Sequence, residues 1–508
     1  MKWYLFLFAV ALATQLPAQN WPLKQATNDR KKTGKPFTRL SAFTLGSTNM
    51  KTQNGTYAQL QLNNAFIKKV MTERPETMQI GIPLNTGKTI DCELIKVSPG
   101  TVRFTENNNK LISGASIPVL YQGVVTGKQE KNNVVLTVNN EYVSLLAVTG
   151  DETIQITKAD EPDTYRLYNS ADIQFPSLPL SCGTKDNSPR QTARDISAAG
   201  ALPVQNSVQD KCVFVFFECF DSLYQWRGKS QQATINYVYE LFNLVMAGYL
   251  NDSIKVQISA INIWTKDDPY RQPNRETALD DLCFYYKDNF WGNLCIGLDY
   301  GTKGRAGLAA RIGKVKALVP NSCAVYRESD STGALAYCDQ NYGGSYQNFP
   351  TGPNVTQGQL YQVMHEMGHL LGSHHTQWCG WLLSQNPSVY GAIDNCAPVE
   401  PVTKGGDSCA PGPPPPASGG SLMSYCNSAP AFINYNNGFG ALPGNTVRTF
   451  IANNQCIPLC INCPGNTGSL QGNPPGSEQF LTKAALPAGI KMSHSNATVS
   501  VDNKKETQ

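Results

Sequence analysis

The chain has 508 residues, with 42 lysines and arginines against 38 aspartates and glutamates. At roughly 100 to 200 residues per domain, about three units are expected, with ample room for a buried core. A net charge of +4 with no basic stripe or acidic block implies neither nucleic acid nor a membrane surface as partner.

Residues Met1 to Ala18 read as a secretory signal, with Lys2, an apolar run from Trp3 to Ala13, and Leu16-Pro17-Ala18 as the cleavage site. The run falls short of the roughly 20 residues that span a bilayer, and no later stretch reaches that length. The mature protein is therefore expected to be secreted, soluble and without a membrane span. Fifteen cysteines in a secreted chain argue for disulfides, and the odd number leaves at least one sulfur without a partner in the chain.

From Gln19 to Thr192 short apolar runs alternate with polar turns, predicting strands over Met78–Pro83, Val134–Val138, Tyr142–Val148 and Thr153–Ile156. This unit carries no catalytic sign. Asp186 to Pro203 is polar and aperiodic, and it reads as a boundary. Beyond it, Cys212 to Phe217 is a continuous apolar run, as expected of a strand buried on both faces. Ile235, Val238, Phe242, Val245, Met246 and Tyr249 then recur at helical steps. Ile254, Val256 and Ile258 alternate as a strand, and the slip in phase to Ile261 and Ile263 predicts a bulge. A helix over Glu276–Asn289, a strand over Asn293–Tyr300 and a short strand over Gly333–Tyr337 complete a β-α-β-α-β order. That order implies an α/β fold with a mostly parallel twisted sheet.

Residues 364–379 read M-H-E-M-G-H-L-L-G-S-H-H-T-Q-W-C and hold four of the five histidines. His365 and His369 are one helical turn apart, so they share a face and can grip one cation, for which zinc is suited. Glu366 is placed beside that cation as general base without being a ligand. Gly372 permits the left-handed turn that ends a helix and brings His375 back as a third nitrogen. Three neutral ligands leave one position open for water, the mark of a catalytic rather than a structural site. His374 breaks this spacing and is expected at the surface or behind the ligands.

These residues resemble the metzincin metalloproteases, whose pattern H-E-x-x-H-x-x-G-x-x-H is matched at His365, Glu366, His369, Gly372 and His375. Gly419-Gly420-Ser421-Leu422-Met423-Ser424-Tyr425-Cys426 is similar to the family's methionine turn, which implies that Met423 floors the metal. The glycine and cysteine context resembles the reprolysin (adamalysin) branch. Two departures leave the branch open: Thr376 stands where adamalysins usually carry Asp, as also occurs in pappalysin-like members, and Tyr425 stands where astacins carry a tyrosine ligand. Tyr425 has two readings, a catalytic phenol serving as extra ligand or oxyanion donor, or a packed residue holding the turn.

The stretch Tyr121 to Gly127, with Thr153–Ile156 and Tyr165–Leu167, resembles the reprolysin propeptide; an unrelated β-sandwich module is the alternative. Leu178 to Thr184 contains a Cys-Gly pair similar to the cysteine switch of metzincin propeptides. That likeness implies that Cys182 fills the open position on zinc until a cut after Arg190 or Arg194 releases it. The competing reading is a disulfide between Cys182 and Cys92. After Gly372, Cys379, Cys396, Cys409 and Cys426 punctuate loops and are expected in disulfides of unassigned connectivity, as are Cys460 and Cys463 of the C-x-x-C that closes the domain.

The chain is thus expected to comprise a signal peptide (1–18), a β-rich propeptide (19–194), a metzincin-like catalytic domain with its zinc-site helix (195–463), and a linker with a C-terminal tail (464–508). Its expected activity is zinc-dependent endopeptidase hydrolysis of extracellular proteins or peptides, with Glu366 activating water at the metal in an enzyme made as a zymogen. The alternatives are a secreted binding or adhesion protein with a structural zinc, and a pappalysin- or astacin-like metzincin of different specificity. Oligomeric state is open.

Overall fold

The structure, a computed structural model, describes nearly all of residues 22–169, most of 211–460, and the segments 490–492 and 499–501. Between 170 and 210 it describes only residues 172, 182, 184 and 190. The predicted signal and most of the boundary and the C-terminal linker lie outside the described residues.

Residues 38–169 form a ten-strand path that is antiparallel apart from one pair, Thr38–Leu40 beside Thr77–Pro83. Its two end strands, Thr38–Leu40 and Phe43–Leu45, are separated in sequence by Ser41 and Ala42, so the sheet curls until its ends approach. The unit also contains a hairpin, β1 (Arg103–Glu106) and β2 (Lys110–Leu111), followed by β3 (Val119–Val125), β4 (Asn132–Val138) and β5 (Val143–Thr149). All of β3, β4 and β5 is buried on both faces. Alternation divides their side chains: Tyr121, Leu136 and Leu145 enter the core of the curled sheet, whereas Leu120, Val135 and Leu146 enter the core of the next unit.

That next unit contains β6 (Cys212–Cys219), α1 (Gln231–Leu250), β7 (Lys255–Ile263), α2 (Arg275–Tyr286), β8 (Leu294–Asp299), β9 (Gly307–Ala309), β10 (Leu335–Asp339) and α3 (Gln357–Leu370). Its sheet runs β9-β10-β8-β6-β7-β1-β2, and only the β9–β10 and β1–β2 pairs are antiparallel. The mostly parallel sheet is as expected from the alternating elements. So is the bulge: the register of β6 against β7 steps from Val215↔Ile258 to Phe216↔Ala260, leaving Ser259 over. Strands β1 and β2 were not foreseen in this sheet. The strand expected near Gly333–Tyr337 is β10, one place inside the edge, and the edge itself is the three-residue β9.

Disulfides fix the irregular loops after α3. Cys379 pairs with Cys409 and Cys396 with Cys426, while Cys212 joins the start of β6 to Cys460. Cys92 and Cys182 are both free, which removes the disulfide reading for that pair.

Candidate active site

The site is organised on α3, whose start is fixed by a capping box: Thr356 Oγ1 accepts from Gln359 N–H, and the Gln359 side chain accepts from Thr356 N–H. Its end is a Schellman turn. Gly372, at φ +98°, donates from N–H to His369 O at 2.8 Å, and Ser373 N–H donates to Gly368 O at 3.0 Å. The reversal returns the chain so that His375 faces His365 and His369. Gly368 is required on the same helix because a Cβ there would press on the Met423 sulfur and the Phe439 ring. Met423 is fully buried with its sulfur against Gly368 of α3, and its carbonyl accepts from Thr376 N–H at 3.1 Å.

The three Nε2 atoms form a nearly equilateral triangle: 3.1 Å from His365 to His369, 3.0 Å from His369 to His375, and 3.1 Å from His375 to His365. Each Nδ1 has an oxygen to receive its proton. His365 Nδ1 lies 2.8 Å from Leu422 O, His369 Nδ1 2.8 Å from Ser373 O, and His375 Nδ1 2.9 Å from Glu400 Oε2. Carbonyl and carboxylate oxygens only accept, so all three rings carry the proton on Nδ1 and turn an Nε2 lone pair inward. Burial pushes the His365 pKa down to about 3 and the His369 pKa well below the usual range, with His375 adding to both effects. Neutral rings are the ligand form.

Cys182 stands over this triangle. Its Sγ is 3.5 Å from His369 Nε2, and the four donor atoms lie within 4.8 Å of one another. A tetrahedral ion with metal–nitrogen distances of about 2.0–2.1 Å and a metal–sulfur distance of about 2.3 Å spaces nitrogens by roughly 3.3 Å and sulfur from nitrogen by roughly 3.5 Å. The donor set therefore fits zinc with modest spreading of the nitrogens. Burial, and then the Glu366 carboxylate, push the Cys182 thiol up in the metal-free chain; a bound cation reverses that preference.

Glu366 lies beside the triangle and points at the edge strand. A Cβ on Gly307 in β9 would collide with its carboxylate, so the glycine makes room for it. Glu366 Oε2 accepts from Thr184 Oγ1 at 3.2 Å and lies 3.5 Å from Cys182 Sγ. Burial pushes its carboxyl up to about 8, outweighing the hydrogen bonds from Cys182, Thr184 and Ala309 that favour the charged form. Thr184 also accepts from Ala309 N–H at 3.0 Å, so the segment carrying Cys182 occupies the edge strand as well as the histidine triangle.

Tyr425 belongs to the site. Its hydroxyl lies 3.1 Å from His375 Nε2 and accepts from Cys182 N–H at 2.9 Å. His374, expected at the surface or behind the ligands, is buried and stacks on Trp378 with ring centroids 3.7 Å apart. The sequence reading missed Glu400, Thr184, Gly307 and Tyr361. The Tyr361 hydroxyl donates to Ser424 O at 2.7 Å and lies 2.9 Å from His365 Nδ1, tying α3 to the methionine turn. Tyr361 precedes His365 by one helical turn, a spacing that could have flagged it. The others have no local signal. A second cluster, Asp394 with Cys396 and Cys426, is no metal site because its two sulfurs form a disulfide.

The profile of metallo-peptidase family M12, the Reprolysin_5 group, matches residues 211–439. This region is a metzincin-like zinc metalloendopeptidase domain. The structure is similar to metalloproteinase-II from Bacteroides fragilis at 12% identity and a TM-score of 0.34, covering 59% of this chain and 82% of that one. It is also similar to a chain in a chaperone–substrate complex at 9% identity and a TM-score of 0.22, covering 59% and 51%. No curated protein sequence matches. The metzincin domain so placed contains the whole histidine triangle, Glu366 and the methionine turn. Among the described residues, no helix is long and apolar enough to cross a membrane.

Proposed function

We propose that the chain is a secreted endopeptidase, made as a zymogen, that hydrolyses extracellular proteins with zinc on His365, His369 and His375. The observation that carries this reading is the inward triangle of Nε2 atoms, with Glu366 beside it and a free thiol on its open side. Zinc held there supplies Lewis-acid polarisation of the scissile carbonyl and brings the pKa of water from about 15.7 toward 7.

The chain's own residues do the rest. Glu366 takes the proton from the attacking water. The protonated Glu366 then returns that proton to the leaving amine. Tyr425 places a hydroxyl 3.1 Å from His375 Nε2, where it can donate to the oxyanion as the carbonyl becomes tetrahedral. The Ala309 N–H, which donates to Thr184 in the latent form, is free to hold an extended substrate once that segment leaves. Latency follows from the same contacts, because Cys182 occupies the open metal position while Thr184 engages the base.

The leader-like run at Trp3–Ala13 and the disulfides Cys212–Cys460, Cys379–Cys409 and Cys396–Cys426 are consistent with an oxidising, extracytoplasmic compartment. The test is Glu366→Ala in protein freed of the Cys182 segment. The variant should bind zinc at wild-type stoichiometry and lose peptide hydrolysis by roughly 100-fold or more. Near-native hydrolysis by this variant would overturn the mechanism. Phenanthroline should abolish wild-type activity and added zinc should restore it.

A further inference from the structure

The N-terminal unit is built into the catalytic domain. β1 pairs in parallel with β7, Arg103–Glu106 against Ala260–Ile263, and so extends the catalytic sheet at the edge away from the cleft. α1 lies between that sheet and strands β3 to β5, and every residue from Thr234 to Tyr249 is buried. Gln232, Glu240 and Asn243 fall on one stripe of α1, which on an ordinary surface helix would face water.

Here the stripe finds its partners in the N-terminal unit. Glu240 Oε1 accepts from Ser144 Oγ at 2.6 Å. The Asn243 side chain donates to Leu136 O at 3.0 Å and to Thr137 Oγ1 at 2.9 Å, and it accepts from Gln122 Nε2 at 3.1 Å. Leu120, Val135 and Leu146 share one apolar core with α1. Hydrogen bonds across this boundary outnumber the roughly ten of a standard stable protein–protein interface. A buried polar network of this kind, closed on both sides and flanked by apolar contact, costs a great deal to separate.

We propose that the N-terminal β-rich unit is a resident subunit of the enzyme rather than a detachable propeptide: after the chain is cut beyond Cys182, the unit stays docked through β1 and β3 to β5. Latency then outlasts a single cut. Cys182 remains joined to the docked unit through residues 170–181, which keeps the thiol at an effective concentration on the order of millimolar at the histidines. Activity appears only when the chain is severed on both sides of Cys182, so that the short segment diffuses away. The activity half rests on the proposed role of Cys182, whereas the docking half does not.

The test uses the full-length protein carrying a recognition sequence for a specific exogenous protease in place of residues 195–200, and a second, different one in place of residues 172–177. Nicking is done on folded protein, so folding of separate halves does not enter. After the first cut, the two fragments should co-elute in size-exclusion chromatography at micromolar concentration, and peptide hydrolysis should stay at the uncut level. After both cuts, the N-terminal fragment should still co-elute and hydrolysis should rise at least 10-fold. Separate elution of the N-terminal fragment after either cut overturns the proposal. Co-elution with full activity after the first cut alone overturns the tethered-latency half. Failure of the Cys182 reading itself would show differently, as an uncut Cys182→Ser protein that remains latent, and co-elution would still report docking.

Discussion

His375 Nδ1 lies 2.9 Å from Glu400 Oε2, and Glu400 Oε1 accepts from Gln377 Nε2 at 2.9 Å, so a carboxylate 25 residues downstream fixes the orientation of the third histidine. A carboxylate behind a ligating imidazole holds its tautomer and raises its basicity. Glu400→Ala should weaken zinc binding roughly 10- to 100-fold, read by competition with a chromophoric chelator. Glu400→Gln keeps an accepting oxygen and should fall between the two. Unchanged affinity in both variants would leave Glu400 without a role in metal binding.

Tyr425→Phe removes the one hydroxyl that lies beside His375 Nε2 and accepts from Cys182 N–H. In activated protein its loss should lower kcat roughly 10- to 1,000-fold with KM little changed, as for one oxyanion donor. In uncut protein it should loosen latency, because Cys182 N–H loses its acceptor at 2.9 Å. An unaltered kcat would return Tyr425 to a packing role.

Glu218 supplies a test of the fold under the site. It is fully buried on β6 and accepts from Asn262, Trp264, Tyr270 and Tyr286. Burial pushes its carboxyl up to about 7 and outweighs those four donors, which favour the charged form. A folded pKa above the free value of about 4.3 means that the folded chain holds a proton which the unfolded chain has released. The stabilisation from this proton is complete at low pH and is lost as pH rises through 7. Glu218→Gln should therefore gain stability relative to wild type between pH 5 and pH 8, measured as the difference in urea midpoints. A difference that does not change with pH would show that Glu218 is ionised throughout.

Much of the site was legible because its spacing is local. His365, Glu366 and His369 sit on one helix, Gly372 turns the chain, and His375 follows three residues later, so the sequence carries the geometry. The apolar stripe of α1 and the phase slip at Ile258 were legible for the same reason. Glu400 was not, because it reaches His375 through a disulfide-stapled loop with no periodicity. Gly307–Ala309 is too short to stand out as a strand, and its importance comes from contact with Glu366 across the fold. The placement of Arg103–Glu106 in the catalytic sheet depends on pairing with residues more than 150 positions away. Local pattern does not encode a partner at that distance, nor did it show that the second face of α1 is buried.

Cys182 is the fourth group over the histidine triangle. The most direct measurement is peptide hydrolysis by uncut Cys182→Ser against uncut wild type, at equal and verified zinc content. The wild type should be latent and the variant measurably active, since serine is a poor zinc ligand and leaves the open position to water. Equal latency of the two proteins, with zinc bound in both, would contradict it.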